Sequence, residues 1–425
     1  MTDTIFALSS GAPPAAIGVI RVSGPRARDA MLALAGRVPA PRRAALARLR
    51  DRQGAVIDEA LVLWLPGPGT ETGEDTVELQ CHGGRAVIAA VETALAALPG
   101  LRRAKPGEFT RRAFINGKID LAEAEGLADL LEAETELQRL SAMAMVGGAF
   151  SREVEGWREE LLALSAAVEA VLDFADEDDV ATLPADFALK IAKLATALKT
   201  WLDRPRAELL KEGFRVVIAG PPNAGKSTLF NCLVEAEAAI ATPIAGTTRD
   251  VLTRPVAIAG VPFLFADTAG LHDTVDDVVE AIGIERALEA LDRADLILWL
   301  GPEGTGPAGA WEIEAQIDRT GRVSKLSPRH RISVRTGEGI EDLRADLVEA
   351  ASSALPRPGE AALNERQHDL LSDARVALVQ ASEQIDQLLT AESLRIARVA
   401  FDTLLGRTAT EDLLDALFGR FCIGK

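Results

Sequence analysis

The chain has 425 residues, 48% of them hydrophobic, and its 64 Asp/Glu outnumber 46 Lys/Arg for a formal charge of −18. That length predicts two or three domains with substantial cores. Residues 1–120 hold 16 Lys/Arg against 12 Asp/Glu and the rest 30 against 52, which excludes a bulk electrostatic grip on nucleic acid. Any RNA must be held by a partner or by local patches such as Arg42-Arg43, Arg102-Arg103-Lys105 and Arg111-Arg112. Each patch taken alone reads as solvated surface. Cys81, Cys232 and Cys422 are widely spaced with no C-x-x-C, which excludes a disulfide framework or structural zinc site. No signal peptide and no apolar run long enough for a membrane span are visible. The expectation is a cytoplasmic chain with no membrane or DNA partner.

Residues 1–118 read as a small α+β unit. Ala16–Gly24 is a strand ending in a turn, Ala55–Leu65 a second strand region and Thr76–Gln80 a third. Gly83-Gly84-Arg85 opens a helix to about Leu98. Arg21 and Glu78 are charges inside apolar strands, which spacing alone assigns to an outward face. His82 beside Cys81 is too little for a metal site. Residues 119–210 carry helical stripes, among them Leu127, Leu130, Leu131, Leu161, Leu162, Ala166 and Val168. The acidic run Asp173–Asp179 reads as a solvated turn before Pro184. Residues 211–355 form an α/β unit. Pro356-Arg357-Pro358-Gly359 marks the return to helix through 425, so the pattern predicts a helical domain with a nucleotide domain inserted in it.

The apolar run Val216–Ala219 predicts a buried parallel strand. Gly220-Pro221-Pro222-Asn223-Ala224-Gly225-Lys226-Ser227 fits G-x-x-x-x-G-K-[ST], and Leu229, Phe230 and Leu233 follow at helical spacing. Backbone N–H groups and the helix N-terminus there suit phosphate, with Lys226 on the β/γ-phosphates and Ser227 on Mg²⁺. Gly246-Thr247-Thr248-Arg249-Asp250 is placed as a switch segment whose threonine completes Mg²⁺ coordination when the γ-phosphate is present. The strand Phe263–Asp267 runs into Asp267-Thr268-Ala269-Gly270, and Asp295–Leu300 is the next parallel strand. This order of elements predicts a Ras-like GTPase with a mainly parallel sheet.

Two departures stand out. Leu271 occupies the place of the usual water-orienting glutamine. Glu280 is the candidate replacement, though its spacing also fits an exposed helix-start carboxylate. The guanine reader N-K-x-D is replaced by Ala315-Gln316-Ile317-Asp318, where Asp318 is placed to accept from guanine or is an ordinary loop acid. Ser333-Val334-Arg335 opens the last base-contact loop.

Taken together these residues resemble the MnmE (TrmE) family of tRNA-modification GTPases. The resemblance rests on the phosphate loop, I-A-G-T-T-R-D at 244–250, D-T-A-G-L at 267–271, I-G-I-E at 282–285 and R-T-G-E-G at 335–339. Outside the nucleotide unit it rests on V-E-L-Q-x-H-G-G at 77–84, P-G-E-F-T-x-R-A-F at 106–114 and F-C-I-G-K at 421–425.

The resemblance implies an N-terminal folate-binding and dimerisation domain at 1–118, a helical domain at 119–210 and 356–425, and a GTPase domain at 211–355. It implies a homodimer that works on tRNA with an FAD-dependent MnmG-type partner in a heterotetramer. The implied product carries a carboxymethylaminomethyl or aminomethyl group at C5 of the wobble uridine, its one-carbon unit coming from 5-formyltetrahydrofolate or a related folate. Arg21, Glu78, Lys118 and Lys425 become folate-site residues. Asn223, Thr242, Ile244 and Thr247 become K⁺ ligands, and Ser227 and Thr248 Mg²⁺ ligands. Nucleotide contacts extend over Asn223, Ala224, Gly225, Lys226, Ser227 and Thr228. They continue through Thr242, Pro243, Ile244, Ala245, Gly246, Thr247 and Thr248 to Asp267, Thr268, Ala269 and Gly270, then Asp318, Ser333, Val334 and Arg335. Glu280 would position water, Lys226 would serve phosphoryl chemistry, and Cys422 would serve the tRNA chemistry unless it is a buried inert thiol. The rival reading is a GTP-regulated ribosome-assembly or partner-binding factor without modification chemistry.

Overall fold

The computed structural model describes residues 3–173, 182–235, 253–267, 290–319 and 324–424. The chain divides into two compact units, Met1–Ala128 with Asp402–Lys425, and Asp129–Phe401.

The first unit is built on a six-stranded sheet. Its strands are β1 (Thr4–Leu8), β2 (Ile17–Ser23), β3 (Ala45–Arg50), β4 (Val56–Leu65), β5 (Thr76–His82) and β6 (Leu101–Arg103), in the order β3-β4-β5-β2-β1-β6. The β1–β6 pair is parallel and the other pairs are antiparallel. Period-2 alternation decides the faces. Ile20, Val22, Val62, Trp64, Val77, Leu79 and Cys81 point into one core with α1 (Ala27–Ala35) and α2 (Arg85–Ala96). Cys81 is 2% exposed, and burial reinforced by the Asp58 charge pushes its thiol up to about 12. Cys81 is therefore a packing residue. The three expected strands and the expected helix are present; β1, β3, β6 and α1 were not anticipated.

Further helices are α3 (Glu108–Ile115) and α4 (Leu121–Glu132). The deep face of α4 is Leu121, Ala124 and Ala128; Leu131, assigned to the stripe by sequence, is exposed. One basic patch is also corrected. Arg112 is fully buried and paired with Asp3, Glu74 and Glu108, Arg102 pairs with Asp3 and Glu108, and Arg111 pairs with Glu411 and Asp415. Only Arg112 departs from the surface reading; Arg102 and Arg111 are partly exposed, and Arg42, Arg43, Arg103 and Lys105 are exposed.

The second unit carries α5 (Glu136–Val146), α6 (Ala149–Asp173), α7 (Phe187–Leu202) and α8 (Ala207–Glu212). It then enters a second six-stranded sheet. That sheet comprises β7 (Phe214–Ala219), β8 (Thr253–Ile258), β9 (Val261–Asp267), β10 (Leu296–Trp299), β11 (Trp311–Ala315) and β12 (His330–Ile332), ordered β12-β11-β10-β7-β9-β8. Only β8–β9 is antiparallel. Helices α9 (Lys226–Glu235) and α10 (Ile340–Ala354) contribute Leu229, Leu233, Leu343 and Leu347 to its core. Residues 300–310 link the parallel strands β10 and β11 without a helix, and the Trp299 indole packs against Gly301 and Gly306.

Helix α11 (Glu365–Glu383) opens with a capping box between Asn364 and Gln367, and α12 (Gln387–Leu404) follows. Phe150, Trp157, Trp201 and Phe401 form one aromatic cluster among α6, α7 and α12. Ala207 N–H donates to Leu363 O at 2.9 Å, so the segments leading into and out of the nucleotide-binding sheet lie side by side. That adjacency is what an inserted domain requires. The last helix, α13 (Glu411–Gly419), belongs to the first unit.

Candidate functional site

Strand β7 ends at Ala219, and the chain turns through 220–225 into α9. In parallel sheets ligands bind beyond the carboxyl ends of the strands where the strand order reverses. β7 is such a place, with β9 on one side and β10 on the other. Gly220, Asn223 and Gly225 have φ of +146°, +62° and +103°. Left-handed turns of this kind let successive N–H groups converge on an anion. Lys226, 5% exposed, donates to Gly220 O at 2.8 Å and Pro221 O at 3.0 Å. Burial lowers its pKa, and the Asp267 charge opposes that shift. A buried ammonium resting on carbonyls gains more from phosphate than from its present partners, so the cradle fits a nucleotide's phosphates. Asp267, last in β9, is in register with Ile218 beside the same turn. Ser227 and Thr228 are exposed on the first turn of α9, where a hydroxyl can meet Mg²⁺. Ala224 is buried beneath the loop.

The residues expected to contact the base lie on the loops after β11 and β12. Ser333 Oγ donates to Asp318 Oδ1 at 2.8 Å, and Arg335 Nε lies 3.6 Å from Oδ2. The Ser333 hydrogen bond lowers the Asp318 pKa against a small burial effect, and the charges of Arg335 and Arg319 add to the lowering. Asp318 is therefore an ionised acceptor held by a designated donor. Val334 follows on the same loop, half-buried. Gln316 was read from sequence only as a loss. Its φ is +59°, its Nε2 approaches Asn223 O at 3.5 Å, and the same atom stands 2.9 Å from where a Cβ on Gly225 would lie. Arg319 holds the other end of that amide at 3.0 Å. The base loop thus touches the phosphate loop.

Thr242, Pro243, Ile244, Ala245, Gly246, Thr247, Thr248, Thr268, Ala269, Gly270, Leu271, Glu280 and Lys425 lie outside the described residues. Of the expected K⁺ ligands only Asn223 is described. Among the described residues no group of three or more His, Cys, Asp or Glu side chains is placed to hold a metal ion. The expected Mg²⁺ and K⁺ ligands are hydroxyl, amide and backbone oxygens, which form no such group.

A second cluster sits on the outer face of the first sheet. Arg21 and Glu78 are direct cross-strand partners, joined at 2.9 Å and each largely covered. Glu71, exposed on the 66–75 loop, approaches the other side of the Arg21 guanidinium at 3.1 Å. On the same loop, the side chain of Lys118 lies against Gly73, and Asn116 donates to Thr72 O at 2.6 Å. The 66–75 loop thus meets the Arg21–Glu78 pair at Glu71 and Lys118 at Gly73. Cys422 is exposed, which removes the buried-thiol alternative.

Residues 4–118 match the family model "GTP-binding protein TrmE N-terminus", and residues 121–422 match "MnmE helical domain". A tRNA modification GTPase MnmE of Erythrobacter litoralis is 64% identical over all of both chains. One of Novosphingobium aromaticivorans is 63% identical over the same extent. Among solved structures, the G domain of the T. maritima FeoB iron transporter is 22% identical over 32% of this chain and 98% of that one, with a TM-score of 0.23. With both family models and full-length relatives in agreement, the chain belongs to the MnmE (TrmE) family of tRNA modification GTPases and is a GTP hydrolase.

Proposed function

We propose that this GTPase modifies the wobble uridine of tRNA, adding a carboxymethylaminomethyl or aminomethyl group at C5 with a one-carbon unit from 5-formyltetrahydrofolate or a related folate. The observation that supports the reading is that the 66–75 loop touches both the Arg21–Glu78 pair, through Glu71, and Lys118, at Gly73. Two cations suit the glutamate carboxylates of a folate, and a carboxylate suits the N–H donors of a pterin. Glu71 is exposed and free to yield its place on Arg21 to a ligand carboxylate. Lys425 is assigned to the same site by its motif.

The division into a folate-binding and dimerisation domain at 1–118, a helical domain at 119–210 and 356–425, and a GTPase domain at 211–355 belongs to this reading. A homodimer is supported by the outer sheet face, where the cross-strand partners Leu46 and Leu61 are both exposed and Ile17 and Val56 add apolar surface. K⁺ on Asn223, Thr242, Ile244 and Thr247, with Mg²⁺ on Ser227 and Thr248, would supply the positive charge at the transferring phosphate. Glu280 would orient the water that Leu271 cannot. An FAD-dependent MnmG-type partner and a cytoplasmic location complete the proposal. Among the described residues no helix is long and apolar enough to cross a membrane.

The test is nucleoside analysis of tRNA from cells lacking this chain. Loss of the C5-substituted wobble uridines is expected; an unchanged nucleoside profile rejects the proposal.

A further inference from the structure

The tail after α13 is fixed at three points within the first unit. Phe421 is buried and tilted against Phe418, which in turn packs on Phe114, each pair with ring centroids 6.1 Å apart. Cys422 O accepts from Gly107 N at 3.4 Å. Gly107 has φ +65°, and a Cβ there would collide with Phe418 O and stand 2.9 Å from Phe418 C. Gly424 has φ +99°, and a Cβ there would collide with Leu8 O and stand 3.0 Å from Ser9 Cα. Both obstacles are backbone, so no rotamer change relieves them. Leu8 ends β1 and pairs with Ile20, one residue from Arg21 on β2.

Between these seats Cys422 and Ile423 are exposed. Side-chain burial therefore does not hold this stretch. Backbone docking at glycines does. We propose that Gly107 and Gly424 are positioning residues, side-chain-free seats that clamp the tail on both sides of Cys422 and fix the stretch carrying its thiol against the end of β1. That a folate binds beside this tail rests on the function proposed above; the docking itself does not.

The test uses the full chain and Gly424→Ala, a change outside the cores and the nucleotide site. Ile423→Ala serves as the control. The time profile of Cys422 alkylation by iodoacetamide at one fixed pH is followed by peptide mapping, beside the free peptide Phe421–Lys425. The native chain is expected to give a profile distinct from the peptide's. Gly424→Ala should take on the peptide profile, Ile423→Ala should keep the native one, and GTP hydrolysis should stay within twofold throughout. Gly107→Ala, if it folds, should behave as Gly424→Ala does. A native profile identical to the peptide's, or one unmoved by Gly424→Ala, overturns the proposal.

Affinity for 5-formyltetrahydrofolate, measured by calorimetry, should fall at least tenfold in Gly424→Ala. If the profile moves while affinity and tRNA modification do not, the seats are structural only and the positioning role is overturned. If the native chain binds no folate, the folate reading falls, and the alkylation profile still decides the docking.

Discussion

Asp318, proposed to face the base, is an ionised acceptor because Ser333 donates to one of its oxygens and Arg335 flanks the other. Asn in its place would keep one acceptor and add a donor, which mismatches the N1–H and 2-amino donors of guanine. Asp318→Asn should weaken GTP binding and improve binding of XTP, whose C2 carries an oxygen. Competition between the two nucleotides measures it; an unchanged preference makes Asp318 an ordinary loop acid. Gln316→Ala should lower affinity for both nucleotides together, by less than about fivefold, because a 3.5 Å contact is a weak one. The position of Asp318 was legible from its spacing after a strand. The role of Gln316 was not, because its contact with Asn223 O spans 93 residues and depends on a left-handed backbone.

Helix α3 shows the same limit for elements. The stretch P-G-E-F-T-x-R-A-F was visible as a motif, yet Arg111-Arg112 read as surface charge. Local pattern does not reveal that Asp3, just before β1, and Glu74, on the 66–75 loop, surround Arg112. Arg112→Met would leave three carboxylates without their shared cation. Removing one partner of a buried ion network costs about 3–5 kcal/mol, to be read from denaturant unfolding of the full chain. Acid should act on the same junction. Burial favours the neutral forms of Asp3 and Glu108, but hydrogen bonds and charge from Arg102 outweigh it, so both pKa values lie below their usual values. Groups lowered on folding contribute stability that is present above the unfolded pKa, about 4, and lost as pH falls through the folded value. Thermal stability should therefore be flat from pH 7 to 5 and fall below pH 4. A decline already complete at pH 5 would contradict this. The strands β3 and β6 escaped notice for simpler reasons: β3 alternates apolar residues with arginine on a sheet edge, and β6 has three residues.

For the whole molecule, the mainly parallel sheet behind the phosphate loop was legible because phosphate chemistry demands a strict local motif. The assignment of α13 and the tail to the first unit was not, since nothing in an Ala/Leu-rich helix announces which core it joins. If K⁺ completes the GTPase centre as proposed, hydrolysis in K⁺ should exceed that in Na⁺ at least tenfold. Equal rates in the two salts would remove the K⁺ ligand set, Asn223 included.

The core made by Leu121, Ala124 and Ala128 with Leu414, Leu417, Phe418 and Phe421 joins segments far apart in sequence. Its Arg111–Asp415 ion pair spans 304 positions. At about 5–20 residues per second, a ribosome needs roughly 15–60 s to travel that far. Through that interval the nascent α4 carries an uncovered apolar face of Leu121, Ala124 and Ala128 while the nucleotide-binding segment is completed behind it. Production of this enzyme should therefore depend more on holdase chaperones and on slow, cool expression than its stable sheets would suggest.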